Sequence, residues 1–482
     1  MFRQKYFGLI TFTVVLGFAS LSAVQDKGYA GGRDPFSEEK QNVKLIGYND
    51  LQGREALQVT CKSDPEHGNG EYVYVGFHAG LHLNLLTGRQ EYNGTMIIDI
   101  SDPANPTTVA HIPNDMKGAN SRAVQVVYDY GPDGRDYLIR NYEGGKVYKF
   151  EIFDITGRDQ NPPVITKAGE ITGTPANSGE PGCGGTLQSS AHKGWWSPDS
   201  KLFYAAANEP GFRGGKDSSH LIIWNLADPA NPVFIGRAWL PGQKSIEPDP
   251  RQPLNLHHPI VDEENGRLYG GYHRGGNVVS FDISGILASP LIPSDPVLVW
   301  HVDTEPPGRG THTVAPIVYN YPEIPNFWKD AFPRRYVLVI DEAERSCDPV
   351  RHKLYMFDIT SETAPFPVET WQVPDGDFCE KGGRFGPHQF AETVNGELNN
   401  FKDKIAWVTY FNAGVRVIDI SDPYNIKEVG YYIPQPNENT SAAEPRQPPV
   451  IQMNDIDIDH RGLAYASDRM GTGLFVLKYI TK

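Results

Sequence analysis

The chain has 482 residues and a formal net charge of -15, and 39 % of its residues are hydrophobic, enough for a large core and too many for a disordered chain. Its 49 Gly and 39 Pro exceed the ordinary combined usage of about 12 %, which excludes a coiled coil or a helical bundle; no Gly repeat suggests collagen, and a multi-span membrane protein is excluded too. The surplus of acid repels phosphate backbones, so nucleic acid is not an expected partner.

Arg3 and Lys5 precede an apolar run over 7–19, and Ser20, Ser22 and Ala23 follow. This is the charged, apolar, small-residue order of a secretory signal peptide, too short for a comfortable membrane span. Cleavage is expected after Ala23. No Cys lies near that cut, so a lipoprotein is not indicated, and no later segment is long enough to span a bilayer. The expected organisation is a signal peptide at 1–23, a linker at 24–41 and one all-β domain at 42–482, in a secreted or periplasmic protein. Export permits disulfides.

One phrase then recurs along the chain. It reads TMIIDISDPANP at 95–106, LIIWNLADPANP at 221–232 and RVIDISDPYN at 416–425. Weaker copies are VYKFEIFDI at 147–155, VVSFDIS at 278–284, LYMFDIT at 354–360 and GLFVLKY at 473–479. Each is a strand, usually followed by a turn rich in Ser, Asp, Pro and Asn. Upstream lies another strand pair, as at 201–207, 266–272, 335–340 and 404–410, so each unit holds about four strands. A four-stranded sheet has two apolar faces to cover, and seven such units stacked about an axis make a β-propeller. The last unit ends after its third strand. The segment 43–51 repeats the fourth-strand pattern of 233–240, an apolar pair before Gly, and is expected to complete that last blade and close the ring.

The strand with its Ile-Ser-Asp-Pro turn resembles the LVIVD repeat family of secreted β-propellers, over about residues 54–482. The resemblance implies the fold and little about activity, since propellers host hydrolases, oxidoreductases, lyases and binding modules.

Aligned on their second strands, the units place histidines alike. His192 lies twelve residues before Tyr204, and His257 twelve before Tyr269; His312 and His388 also stand at the start of their units. Four consecutive blades thus present imidazoles at one end of the channel, where Asn454, Arg122 and Arg54 take the place in the other blades. Converging imidazoles suit copper, iron or zinc, with release expected below about pH 6 on protonation. Four histidines on a seven-bladed propeller hold iron in carotenoid-cleaving oxygenases. The selenium-binding proteins that oxidise methanethiol, which resemble this chain distantly in their blades, use copper. The continuous motifs of both groups are absent here.

Loops between second and third strands open on the same end. They bring His78, Glu209, His273, Asp341, Glu342, Asn412 and Asp468 as candidates for orienting the imidazoles or moving protons. Glu392, four residues after His388, is the first candidate to bond a ligand imidazole. Cys347 and Cys379 are expected to form a disulfide. Cys183 is open to three states: paired with Cys61, a soft metal ligand or a thiol nucleophile. The residues point to a metal-dependent oxidoreductase acting on a small organic molecule. The other reading is a non-catalytic secreted propeller that binds a protein, glycan or surface polymer. Oligomeric state is not legible.

Overall fold

The computed structural model describes residues 37–480 apart from 215–217, 249–253, 274, 305–309, 320–332, 348 and 350. The expected signal peptide lies outside the described residues. Seven blades of antiparallel strands follow one another, six of them with the first strand innermost, and Thr393–Val394 adds one parallel pairing to the inner Met453–Ile458 of blade 7. Blade 1 runs Ala56–Asp64, Gly70–Phe77, Gly94–Asp99 and Thr107–Pro113, with a hairpin of Leu81–Asn84 and Arg89–Tyr92 inserted after its second strand. Blade 2 is Val124–Tyr130, Arg135–Gly144, Val147–Gly157 and Val164–Ile171. Blade 3 is Ala191–Ser197, Leu202–Ala207, His220–Asn225 and Val233–Ala238. Blade 4 is Asn255–Asp262, Arg267–His273, Asn277–Asp282 and Val297–Asp303. Blade 5 is Thr311–Tyr319, Arg334–Asp341, Leu354–Asp358 and Phe366–Trp371.

Blade 6 comprises Ile405–Thr409, Val415–Asp419 and Lys427–Ile433. Its inner edge is an irregular segment: His388 and Ala391 donate their backbone N–H groups to Thr409 and Trp407. Blade 7 is Met453–Ile458, Ala464–Asp468 and Leu474–Tyr479, and its fourth strand is Val43–Asn49, paired antiparallel with Leu474–Tyr479. The N-terminal strand therefore closes the ring, as its sequence pattern indicated. The chain goes one step further. Glu39–Gln41, the end of the expected linker, is itself a strand on the outer edge of blade 6. The N-terminal segment thus joins the last two blades.

Burial follows from position in the blade. Leu202–Ala207 and His220–Asn225 are covered on both faces, so every residue in them is buried, whereas the outer Val164–Ile171 is mostly exposed. Seven apolar clusters fill the seven gaps between neighbouring blades. One of them packs Tyr465, Leu474 and Val476 of blade 7 on Val59, Val73 and Met96 of blade 1. Burying one such side chain is worth about 1.5–3 kcal/mol, so a sheet exposed at an open gap would lose many times that.

Glycine in the fourth strand sets how closely blades approach. A Cβ at Gly47 would meet Pro103 O at 2.1 Å, and one at Gly169 would meet Pro229 O at 2.1 Å. In each case the repeated Asp-Pro-Ala-Asn turn of one blade lies against the bare backbone of the blade before it. The recurrent turn is thus an inter-blade contact as well as a chain reversal.

Candidate metal centre and cavity

The inner strands begin with a β-bulge. Register shifts fall between Ala191 and Gly194, Leu256 and His258, Thr311 and Thr313, and Met453 and Asp455. An extra residue in a strand re-aims its side chain. His192, His257 and His312 are those residues, which is why they leave the blade interfaces and meet at the channel mouth. Ring centroids step from His192 to His257 at 4.4 Å, to His312 at 3.8 Å and to His388 at 4.5 Å. Blade 1 bulges between Ala56 and Val59, so Leu57, not Arg54, holds the matching place. Arg54 is instead buried with its guanidinium on Asn93 Oδ1 at 2.6 Å. A close approach fixes His312 further: a Cβ at Gly271 would stand 2.6 Å from His312 O.

Each ring has a defined environment. His388 donates Nδ1–H to Asn454 O. His312 Nδ1 lies 2.7 Å from Thr313 Oγ1, whose own proton goes to Gln389 Oε1 at 2.9 Å, so His312 is the donor. Both rings therefore keep Nε2 as a lone-pair nitrogen, and His312 Nε2 has no hydrogen-bond partner. His192 differs. Arg122 Nη2, which can only donate, lies 3.4 Å from His192 Nδ1. The proton of His192 then sits on Nε2, 2.9 Å from His257 Nε2.

Glu342 supplies the carboxylate. His257, His312 and Glu342 could hold a metal ion: each offers one nitrogen or oxygen, and these atoms all lie within 4.8 Å of one another. Glu342 accepts from Arg384 Nη1 at 2.7 Å, and it stands 3.2 Å from His273 Nε2 and 3.8 Å from His388 Nε2. Burial would raise its pKa, but the His273 hydrogen bond and nearby positive charge, permanently that of Arg384, hold it well below the usual carboxylate range. The imidazoles are pushed the other way. Burial, reinforced by Arg122 at His192 and by neighbouring imidazoles at His257 and His312, depresses those three well below 6.5. Burial takes His388 down to about 3. They stay neutral far below pH 6, so the expected acid release of a bound metal moves to lower pH.

His192, His257, His273, Glu342, Arg384 and His388 line a cavity of about 580 Å³ together with His78, Arg122, Glu143, Lys146, Glu344 and Arg469, while His312 is fully buried and not part of the lining. Of the loop candidates, His78, His273 and Glu342 reach it. The others do not, because each is engaged elsewhere. Glu209 is buried against Arg237 Nε at 2.6 Å, His220 and Thr174. Asp341 faces the Tyr355 hydroxyl at 3.2 Å. Asn412 donates to Phe378 O and Gly382 O, and Asp468 accepts backbone N–H groups of Gln452, Met470 and Thr472. Glu392, expected beside a ligand imidazole, lies 3.0 Å from His258 Nδ1 instead and also accepts from Gln58 and Gln389.

Glu392 belongs to a second layer, made by the residues next to the cavity-facing ones. Lys193 of blade 3 reaches Asp455 of blade 7 at 3.4 Å, and His258 of blade 4 reaches Glu392 of blade 6, so these pairs cross the axis. All four are buried, and they form a charged layer next to the imidazoles, outside the cavity lining. The spacing of the units locates the imidazoles, and Glu392 was a candidate, but Arg384, Arg469, Lys193, His258 and Asp455 were not; the pairs His192-Lys193 and His257-His258 were the available signal.

Cys347 and Cys379 are bonded, with Cα atoms 5.4 Å apart. Cys61 and Cys183 are both buried and free, so they do not pair. Burial raises both thiols, which argues against a reactive thiolate. Among the described residues no helix is long and apolar enough to cross a membrane.

Fold and site together define a seven-bladed β-propeller with an imidazole-lined mouth. The chain carries LVIVD repeats, matched at residues 90–112 and 402–433. No curated protein matches it. Among solved structures it is similar to the Cps50 (Swd1) β-propeller domain of Myceliophteria thermophila, at 11 % identity and TM-score 0.49 over 89 % of this chain and 98 % of that one. It is also similar to the periplasmic gluconolactonase PpgL of Pseudomonas aeruginosa, at 14 % identity and TM-score 0.47 over 83 % and 98 %. A hypothetical selenium-binding protein of Sulfolobus tokodaii gives 11 % identity and TM-score 0.49 over 90 % and 86 %.

Proposed function

We propose that this is an exported metal-dependent enzyme, an oxidoreductase acting on a small organic molecule, with copper or iron held by His257, His312, His388 and Glu342 and with His192 at the edge of the set. The observation that carries the reading is the pair of imidazoles, His312 and His388, whose Nδ1–H groups are committed to oxygen acceptors while Nε2 is left open beside Glu342. Orientation of the ring by its far nitrogen is how proteins prepare histidine as a metal ligand. Imidazole nitrogens with one carboxylate suit copper, iron or zinc. A bound ion of this kind supplies Lewis acidity and, for copper or iron, electron transfer. The chain's own groups do the rest. His273 Nε2 stands 3.2 Å from Glu342 Oε2, and His78 faces the cavity with Nε2 unpartnered. The disulfide supports export.

The test is metal content after reconstitution with copper, iron or zinc and exhaustive dialysis. One equivalent of copper or iron in the parent, lost in the His312→Ala/His388→Ala double variant, is the expected result. A folded parent that retains no transition metal overturns the reading. The binding-module reading then takes its place, favoured by the exposed Leu81, Leu83, Leu85 and Leu86 on the blade 1 hairpin.

A further inference from the structure

The charges around the cavity do not cancel. Arg122 pairs with Glu143, and Arg384 pairs with Glu342. Asp468, next in sequence to Arg469, is turned away and spent on backbone N–H groups. Among the described residues the Arg469 guanidinium has no ion pair or hydrogen bond, yet it lines the same cavity. It stands 5.9 Å from the Phe411 ring, which also carries Arg384 at 5.3 Å and stands 5.1 Å from the His388 ring. Arg469 and the His388 ring therefore share Phe411 as a neighbour and line the same cavity.

Arg469 is half-buried at the cavity wall, and a guanidinium left without a partner there is open to an incoming anion. Burial lowers Arg469 to about 10, and the nearby Arg384 and Arg122 add to that strain. Of the charged groups lining the cavity, Arg122, Lys146, Arg384 and Arg469 outnumber Glu143, Glu342 and Glu344 by one, so the wall carries a net positive charge. A metal ion on neutral imidazoles would raise the positive charge further, so it cannot be the balancing partner. The missing group is an anion, and a planar guanidinium matches the two oxygens of a carboxylate or the edge of a phosphate or sulfate.

We propose that Arg469 is the docking group for a small oxyanion, a carboxylate, sulfate or phosphate carried by the substrate, and that this handle sets the rest of the molecule against the imidazole cluster. The handle's role in a substrate rests on the proposed function; the anion site itself does not. It makes the substrate class an organic acid or ester anion and excludes a neutral hydrocarbon.

The experiment is calorimetric titration of the full mature protein at pH 7 and low salt, metal-free and metal-loaded, with inorganic phosphate, acetate and, as the uncharged isostere, acetamide. Saturable binding of acetate or phosphate without binding of acetamide is expected, and it needs no variant. Which of the two anions binds more tightly assigns the handle to carboxylate or to phosphate. Arg469→Gln should weaken that anion by about tenfold or more, as for loss of a charge-assisted contact, while metal content and thermal melting stay unchanged. Arg469→Lys should recover part of the affinity. Equal binding of acetate and acetamide, or phosphate and acetate binding unaltered in a folded Arg469→Gln protein, overturns the inference and leaves the metal reading standing. Arg469-dependent anion binding in a protein that retains no metal supports the anion site and removes the metal reading.

Discussion

His312 and His388 each have one nitrogen committed and one open, whereas His192 has its lone pair turned to Arg122. That difference separates residues which look equivalent in sequence. His312→Ala and His388→Ala should each lower affinity for the metal by more than about a hundredfold. His192→Ala should cost about tenfold, the lower end for a group that supports ligands. Equilibrium dialysis against a competing chelator measures this, and equal losses for all three would contradict the assignment. A second test uses protons. The buried imidazoles are held below their unfolded value near 6.5. Between the two values the unfolded chain binds more protons, so the stability present above pH 6.5 is lost as pH falls toward the folded values, which for His388 is about 3. Melting temperature of the metal-free protein should drop from pH 7 to pH 4.5, and His257→Gln should flatten that slope. Parallel curves for parent and variant would refute it. Beneath the imidazoles, Lys193→Met strands Asp455. Losing one partner of a buried pair costs about 3–5 kcal/mol. Burial already raises the Asp455 pKa, so the carboxyl can take a proton and the loss should lie nearer the lower end, as read by denaturant unfolding.

At the scale of elements, two features with plain local chemistry do long-range work. The bulge at the start of an inner strand converts a blade residue into a cavity residue. The fourth-strand glycine admits the next blade's turn. Gly169→Ala puts a methyl group where Pro229 O now lies, and overpacking of this kind costs about 1–3 kcal/mol. The variant should melt lower while metal content is retained, because Gly169 is on the outer strand and far in sequence from the bulges. Unchanged melting would mean that the turn moves freely and is no contact between blades. Glu392 illustrates the limit of element-level reasoning. Four residues after His388 on a regular strand would share its face, but blade 6 has an irregular inner edge, and Glu392 pairs with His258 outside the cavity lining.

For the whole molecule, closure is the decisive property. Val43–Asn49 completes blade 7 and Glu39–Gln41 edges blade 6, while one apolar cluster seals blade 7 to blade 1. A chain starting at residue 51 should lose cooperative melting at its original temperature and expose the edge of Leu474–Tyr479. A chain starting at residue 43 loses only the short outer strand and should melt within a few degrees of the parent. Similar melting of both truncations would deny the closing strand its role.

The repeated strand-and-turn phrase, the fourth-strand glycines and the spacing of His192, His257, His312 and His388 determined the all-β seven-bladed ring, its closure and the position of the imidazoles. Those are periodic properties, and periodicity is written along the chain. The sequence named Glu342, His78 and His273 only within a longer set of loop candidates, and which of that set reach the imidazoles was not legible. Glu342, Arg384 and Arg469 come from loops of unrelated length in three blades, and which loop side chain turns inward depends on what its neighbours already occupy. Glu209 and Asp468 carry the same chemistry as Glu342 and stand at comparable places, yet one is held by Arg237 and the other by backbone N–H groups. Only the tertiary structure decides that contest, because the competing partners are brought together by ring closure and not by sequence.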